Sequence, residues 1–225
     1  LVPNGIDPTT YIPTSPEMAA MREHLRWDDR DPVFLAPVRV TRRKNLERGI
    51  DVIAAMKDMG ATPLLVVTGP LGPHNVRSGE YLDELLSRRE ERGVRDEVAF
   101  LALEGSPTGG VEVSDALMTE LYWWADALLM PSSQEGFGLP LLEAGLARLP
   151  IFCTDIPVLR EVGGPNATYF EPDGDPDAIA ETILHELSNL KIAGHRRKVL
   201  STYNWDSIFT SSFMPLLDKI LASEL

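Results

Sequence analysis

The stretch of sequence that decides the fold reads Ala127-Leu128-Leu129-Met130-Pro131-Ser132-Ser133-Gln134-Glu135-Gly136-Phe137-Gly138-Leu139-Pro140-Leu141-Leu142-Glu143-Ala144-Gly145. Its first four residues, 127–130, form a short apolar run that is typical of a buried strand. A glycine-rich turn follows, and the apolar pattern after it predicts a helix with Pro140 in the first turn, where its missing N–H costs nothing. Strand, turn and helix in this order present backbone N–H groups and the positive end of a helix to an anion. Two carboxylates, Glu135 and Glu143, lie on the turn and on the helix of this predicted anion site.

Five further short apolar runs predict five more strands, at residues 33–38, 63–68, 98–103, 150–154 and 167–170. Helical patterns separate and follow them, near residues 16–25, 46–60, 79–92, 115–125, 138–148, 156–162, 176–187, 190–201 and 205–223. Ser15 and Asp175 are the expected N-caps of two of these helices. Because strands and helices alternate throughout, the sequence predicts an α/β fold with a doubly wound, parallel, six-stranded, Rossmann-like sheet.

The loops after the strands are the expected ligand-binding region, because doubly wound sheets bind ligands beyond the carboxyl ends of their strands. The loop after the first strand opens a basic cluster, Arg39, Arg42, Arg43, Lys44 and Arg48, against one acid, Glu47. The Glu135 turn follows the fourth strand, so strand order predicts that both features share one rim of the sheet. A phosphate held by Arg39 and Lys44, with a carboxylate at each end, has the shape of a sugar nucleotide.

Composition excludes several classes of protein and partner. The chain has 225 residues, 44% of them hydrophobic, and a net charge of −13, which argues against nucleic acid or an anionic membrane as partner. No apolar run approaches the roughly 18 residues of a bilayer-spanning helix. The chain opens Leu1-Val2-Pro3 without a basic leader, which predicts a cytoplasmic fragment of a longer protein. One cysteine, Cys153, excludes an internal disulfide, and its apolar surroundings predict burial.

Other kinds of site fit the sequence less well. Gly136-Phe137-Gly138 begins like a dinucleotide fingerprint, but Leu141 stands where the third glycine belongs. No Walker loop and no Gly-x-Ser-x-Gly occurs, and the four histidines are scattered, so no metal site is expected. His74 alone lies on the predicted rim, as a possible ligand contact. Two alternatives that involve no ligand stay open. The basic cluster could be a solvated helix start, and the Glu135 turn could be a helix N-terminus with favourable acids.

Several motifs, in the right order, resemble the C-terminal, donor-binding half of the GT-B fold in retaining glycosyltransferases of family 4, group 1. The Glu135…Glu143 pair is similar to that family's E-x7-E motif. Val38-Arg39 followed by Lys44-Asn45 resembles its strand-end arginine and lysine. Residues 1–7 resemble its interdomain connector, and residues 125–132 resemble the run that enters the motif. The resemblance covers nearly the whole chain.

The resemblance implies a role for each matching residue. Arg39 and Lys44 would stabilise the diphosphate leaving group, Glu135 would bind donor-sugar hydroxyls, and these three would be the catalytic residues. Glu143 would hold the ribose hydroxyls. The donor would also meet the turn residues Gly136, Phe137, Gly138 and Leu139, with its base near Leu103 and the loop after it. Pro37-Val38 departs from the glycine that usually precedes the arginine, and the long loop 104–114 leaves the base identity open.

The resemblance also implies a division of the chain and of the activity. Residues 1–14 would be an interdomain linker, 15–204 the nucleotide-sugar-binding domain, and 205–225 a helix that crosses to an absent N-terminal domain. That domain would hold a sugar or lipid acceptor, so the fragment alone is expected to bind donor weakly, to show little hexosyl transfer and to expose Trp205 and Phe209. No cofactor is implied. A nucleotide-sugar epimerase of GT-B plan and a non-catalytic sugar-nucleotide-binding module remain alternatives, and a glycosidase fits less well.

Overall fold

A six-stranded parallel sheet forms the centre of the protein, in a computed structural model that describes residues 2–69 and 76–223. Its spatial order is β3-β2-β1-β4-β5-β6. In chain order the strands are β1 (Val33–Ala36), β2 (Leu64–Val67), β3 (Val98–Phe100), β4 (Ala127–Met130), β5 (Ile151–Thr154) and β6 (Thr168–Phe170). Every residue of β1, β2, β4 and β5 is buried, as their continuous apolar runs predict. The predicted doubly wound α/β fold is confirmed.

Eleven α-helical segments within the described residues accompany the sheet. They are α1 (Pro16–His24), α2 (Leu46–Asp58), α3 (Val76–Glu91), α4 (Leu101–Glu104), α5 (Asp115–Trp124), α6 (Leu139–Leu146), α7 (Pro157–Gly163), α8 (Pro176–Asn189), α9 (Lys191–Thr202), α10 (Trp205–Ile208) and α11 (Met214–Ser223). Both predicted N-caps are confirmed. The Ser15 hydroxyl accepts from Met18 N at 3.1 Å, and the Asp175 carboxylate accepts from Ala178 N at 3.4 Å.

The strand order reverses at the centre of the sheet, and this reversal positions the site. β1 lies between β2 and β4, with Phe34 paired to Ala127 and Leu35 to Leu128. The loops that leave β1 and β4 therefore emerge side by side at the carboxyl edge. In doubly wound folds this switch point is where ligands bind.

The third strand is shorter than predicted, and Leu101–Leu103 do not continue it. These residues begin the helical turn α4 instead. Glu104 causes the change of direction, because its Oε1 accepts from Phe100 N at 3.1 Å and from the buried Arg89 guanidinium. Arg89 Nη1 also donates to Val98 O at 2.9 Å, which ties the end of β3 to the turn. The strand prediction was wrong here because these contacts are tertiary.

Segments near the two ends of the described chain contact each other. Ile6 N donates to Tyr203 O at 2.8 Å, and Gly5 packs so closely on Trp205 that a Cβ would lie 2.7 Å from its ring. The predicted final helix is interrupted by a π-helical turn, Phe209–Phe213, between α10 and α11. Trp205 and Phe209 are 52% and 53% exposed, as expected. The division into linker, domain and crossing helix stays a prediction.

Two further sequence-based expectations concern burial and membranes. Cys153 is fully buried in β5, and this burial raises the pKa of its thiol to about 12, so the thiol stays protonated. None of the described helices has the length and hydropathy that crossing a bilayer requires.

Candidate functional site

The basic loop and the Glu135 turn are joined directly by their backbones. Arg43 O accepts hydrogen bonds from Ser133 N at 2.9 Å and from Gln134 N at 3.3 Å. Asn45, in a left-handed conformation with φ of 49°, redirects the chain from this loop into α2 and donates through Nδ2 to Pro172 O at 3.0 Å. The loops after β1 and β4 are thus held as one surface.

Lys44 and Glu135 form an ion pair in this surface. Lys44 Nζ lies 2.5 Å from Glu135 Oε1, and the side chains are 10% and 7% exposed. The pair retains unused capacity, because an ammonium group has three N–H donors and a carboxylate has about four acceptor positions. Two side chains that are 91 residues apart in sequence therefore offer a cation and an anion at one point.

The start of α6 stands beside this pair. Gly138 is its N-cap, with a φ of 90°, and a Cβ there would lie 2.9 Å from Leu159 Cδ2, so the turn requires glycine. The backbone N–H groups of the first helical turn have no intrahelical acceptor. Gly136 is exposed, and Phe137 and Leu139 are 56% and 58% exposed. Gly136, Phe137 and Leu139 therefore line an open surface, whereas Gly138 is buried beside Leu159.

Glu143 is held by a tyrosine that the sequence did not single out. Tyr122 Oη, on α5, donates to Glu143 Oε2 at 2.6 Å. Tyr122 is 5% exposed, and desolvation, followed by its bond to Glu143, raises the pKa of the phenol, which therefore remains a donor. Both residues line a cavity of about 410 Å³ that also includes Met118 and Trp123. Tyr122 orients one carboxylate oxygen and leaves the other to a ligand.

Arg39 lies in a second cavity, of about 580 Å³, at the ends of β1 and β2. Arg39 is exposed, and no hydrogen bond or ion pair joins its side chain to another described residue. The Thr68 hydroxyl in the same wall is buried and has no hydrogen-bond partner within residues 2–69 and 76–223. Gly69 crosses directly over Val38, where a Cβ would lie 2.0 Å from the carbonyl oxygen. This backbone contact sets the position from which Arg39 projects.

The remaining predicted site residues are distributed less favourably. Leu103 lies partly buried in α4 and packs on the core, whereas its neighbour Ala102 lines the second cavity. Arg42 pairs with Glu84 at 2.5 Å at the surface. His74 lies outside the described residues. Within residues 2–69 and 76–223, no three His, Cys, Asp or Glu side chains form a group that could hold a metal ion. That the site holds no metal stays a prediction.

The sequence pattern missed Tyr122, Thr68 and Glu112, the last of which also lines the second cavity. Tyr122 follows Leu121 on the buried side of α5. A buried tyrosine usually needs a hydrogen-bond partner for its hydroxyl, so its position in the sequence indicates a nearby polar group. Thr68 ends a strand on the predicted rim. Glu112 gave no signal beyond its place in the long loop.

A doubly wound parallel sheet, with an acid-bearing glycine turn and a basic loop joined at its switch point, defines the C-terminal domain of a GT-B glycosyltransferase. The chain belongs to the family described as glycosyl transferases group 1, whose family model matches residues 17–198.

Individual relatives agree with this assignment. The serotype-specific mannosyltransferase WbdA of Escherichia coli is 38% identical over 93 residues, which are 41% of this chain and 11% of that protein. The C-terminal domain of the glycosyl transferase group 1 family protein LpcC from Francisella tularensis has a TM-score of 0.59 at 19% identity, over 93% of this chain and 98% of that one. Anabaena Alr3699/HepE, solved in complex with UDP and glucose, has a TM-score of 0.61 at 21% identity, over 99% of this chain and 56% of that one.

Because they are only 19% and 21% identical to this chain, the two solved structures support the fold alone. The chain spans about half of the HepE chain and a smaller part of WbdA. The LpcC structure shows that a domain of this extent exists in isolation.

Proposed function

We propose that this chain binds the nucleoside-diphosphate-sugar donor of a retaining, family 4 hexosyltransferase, and that a further domain holds the acceptor. The observation that carries the proposal is the Lys44–Glu135 pair, buried at the switch point beside the start of α6. A cation for phosphate and a carboxylate for hydroxyl groups lie in contact, as they must where a sugar meets its diphosphate.

Each predicted site residue takes a role in the proposed chemistry. Lys44 and Arg39 bind the diphosphate, Glu135 accepts from sugar hydroxyls, and Glu143 accepts from the ribose. The turn of Gly136, Phe137, Gly138 and Leu139 meets the sugar and the phosphate, with backbone N–H groups at the helix start as donors. Lys44 keeps its hydrogen bond to Glu135 while its other N–H groups donate to phosphate. This ion pair therefore contacts both the sugar and the diphosphate of the donor.

Transfer breaks the bond between the anomeric carbon and a phosphate oxygen, and the electron pair leaves with the diphosphate. Negative charge grows on that group, so fixed cations stabilise the transition state more than the ground state. Lys44, already fixed by Glu135, meets this requirement without reorganising. The acceptor oxygen forms the new bond to the anomeric carbon, and its proton passes to the departing phosphate.

The first test is titration calorimetry of the chain with uridine, guanosine and adenosine diphosphates. At least one is expected to bind, and Glu143→Ala is expected to weaken that binding about tenfold, since one charge-assisted hydrogen bond is worth about 1.5–3 kcal/mol. Asp177→Ala, on the exposed first turn of α8, is the control. Absence of binding by all three, or binding that Glu143→Ala leaves unchanged, contradicts the proposal.

A tyrosine-to-phenylalanine change tests the contribution of Tyr122 to the proposed ribose site. Tyr122→Phe is expected to weaken binding of the preferred ribonucleoside diphosphate about fivefold, the worth of roughly one neutral hydrogen bond, and to leave its 2′,3′-dideoxy analogue unaffected. Tyr169→Phe is the matched control, because Tyr169 Oη donates to Gly164 O at 2.8 Å and to neither of the site's carboxylates. Equal losses for both nucleotides would mean that Tyr122 does not act through the ribose.

The epimerase and the non-catalytic module are separated from this function by assays of the whole protein. A transferase needs an acceptor, whereas an epimerase converts its nucleotide sugar alone. A binding module tolerates the loss of Arg39, Lys44 and Glu135 in a transfer assay, whereas a transferase does not.

A further inference from the structure

The cavity beside Arg39 contains two charged side chains that have no ion-pair partner among the described residues. Arg39 and Glu112 are the charged side chains among its described lining residues, and they form no ion pair with each other. No hydrogen bond or ion pair joins Glu112 to any other residue in the described chain. Thr68 is 3% exposed in the same wall, and its hydroxyl has no hydrogen-bond partner among the residues that the structure describes. Arg39 and Glu112 are exposed, whereas the Thr68 hydroxyl is buried. Buried polar groups are normally satisfied, so this hydroxyl indicates a polar ligand in the cavity.

The position of the cavity indicates which part of a donor it receives. Met118 lines both this cavity and the neighbouring one, which contains Glu143. A nucleotide whose ribose bonds Glu143 and whose diphosphate meets Arg39 therefore has its base beside Met118. The walls supplied by Val38, Val111 and Val113 are apolar and suit a flat ring.

From these observations we infer that the cavity receives guanine, so that the donor is a guanosine-diphosphate sugar; this rests on the proposed function. Glu112 discriminates between bases, because an ionised carboxylate only accepts hydrogen bonds. Guanine offers two adjacent donors, N1–H and the 2-amino group, which match the two carboxylate oxygens. Uracil offers one N–H between two carbonyl oxygens, and adenine sets its amino group beside a ring-nitrogen lone pair. Either base would turn an acceptor toward the charge, which is costly.

The test is titration calorimetry of the chain with the diphosphates of guanosine, inosine, uridine and adenosine. Guanosine diphosphate is expected to bind at least tenfold more tightly than the other three. Inosine is the sharpest probe, since it differs from guanosine only in lacking the 2-amino group. Glu112→Gln is expected to weaken guanosine diphosphate about tenfold and to change uridine and adenosine diphosphates less than twofold, because the amide replaces one acceptor by a donor.

The controls separate this inference from the function on which it rests. Glu186→Gln, an exposed change on α8, is expected to alter no affinity. If none of the four nucleotides binds, the proposed function and the inference both fail. If uridine or adenosine diphosphate binds as tightly as guanosine diphosphate, or if Glu112→Gln leaves the ranking of bases unchanged, the inference is overturned while the proposed function stands.

Discussion

Lys44→Met is expected to destabilise the chain by about 3 kcal/mol, because it leaves Glu135 as an uncompensated charge in a buried position. The Glu135 side chain is 7% exposed, and its bond to Lys44 Nζ is its one side-chain hydrogen bond or ion pair among the residues described. Removing one member of a buried pair costs far more than the pair itself contributes, since the remaining charge has lost both water and partner. Urea unfolding followed by circular dichroism measures the change.

Two comparisons make this expectation specific. Arg42→Met breaks the Arg42–Glu84 pair, whose side chains are 60% and 56% exposed, and is expected to cost less than about 1 kcal/mol. Lys44→Met/Glu135→Leu removes both charges and is expected to recover most of the lost stability. The double variant should still fail to bind nucleoside diphosphate, which distinguishes the functional role of the pair from its effect on folding. Equal losses from Lys44→Met and Arg42→Met would refute the expectation.

The features that sequence predicted well are those that depend on local pattern and strand order. The continuous apolar run at 127–130 became a strand buried on both faces, because a parallel sheet covered by helices leaves no polar side. Ser15 and Asp175 became N-caps because their side chains reach a backbone N–H three residues away. Strand order alone placed the basic loop beside the Glu135 turn.

The features that sequence could not predict depend on contacts between distant segments. The direct bond between Lys44 and Glu135 requires Arg43 O to accept from Ser133 and Gln134, which no periodicity encodes. The early end of β3 depends on Arg89 reaching Glu104. Arg39, which motif order grouped with Lys44, instead faces a cavity that residues 110–113 help to form. The candidate site therefore has two separate cations. Lys44 is paired with Glu135, whereas Arg39 has no partner among the described residues.

Gly69→Ala is expected to be about as damaging as the loss of Lys44, for a steric reason. An added Cβ would lie 2.0 Å from Val38 O, 2.4 Å from Val38 C and 2.5 Å from Arg39 N, all of them backbone atoms that cannot rotate away. Two strand ends must separate, so a cost of about 3 kcal/mol is expected, at the upper end for overpacking. Gly194→Ala, in α9 with no atom near the added Cβ, is the control and should stabilise by about 0.5–1 kcal/mol.

The same substitution should also weaken nucleotide binding, because moving Val38 and Arg39 displaces the guanidinium from its cavity. A shift of about 1 Å in a positioning group is enough to lose much of its benefit. A double-mutant cycle tests whether the loss passes through Arg39: Gly69→Ala and Arg39→Ala should each weaken binding about tenfold, and together by little more than either alone. Additive losses would show that Gly69 acts elsewhere, and an unfolding free energy within 1 kcal/mol of the parent would show that the strand ends yield easily. The cycle thus asks whether this glycine, through its contact with Val38 and Arg39, fixes the place where the diphosphate is held.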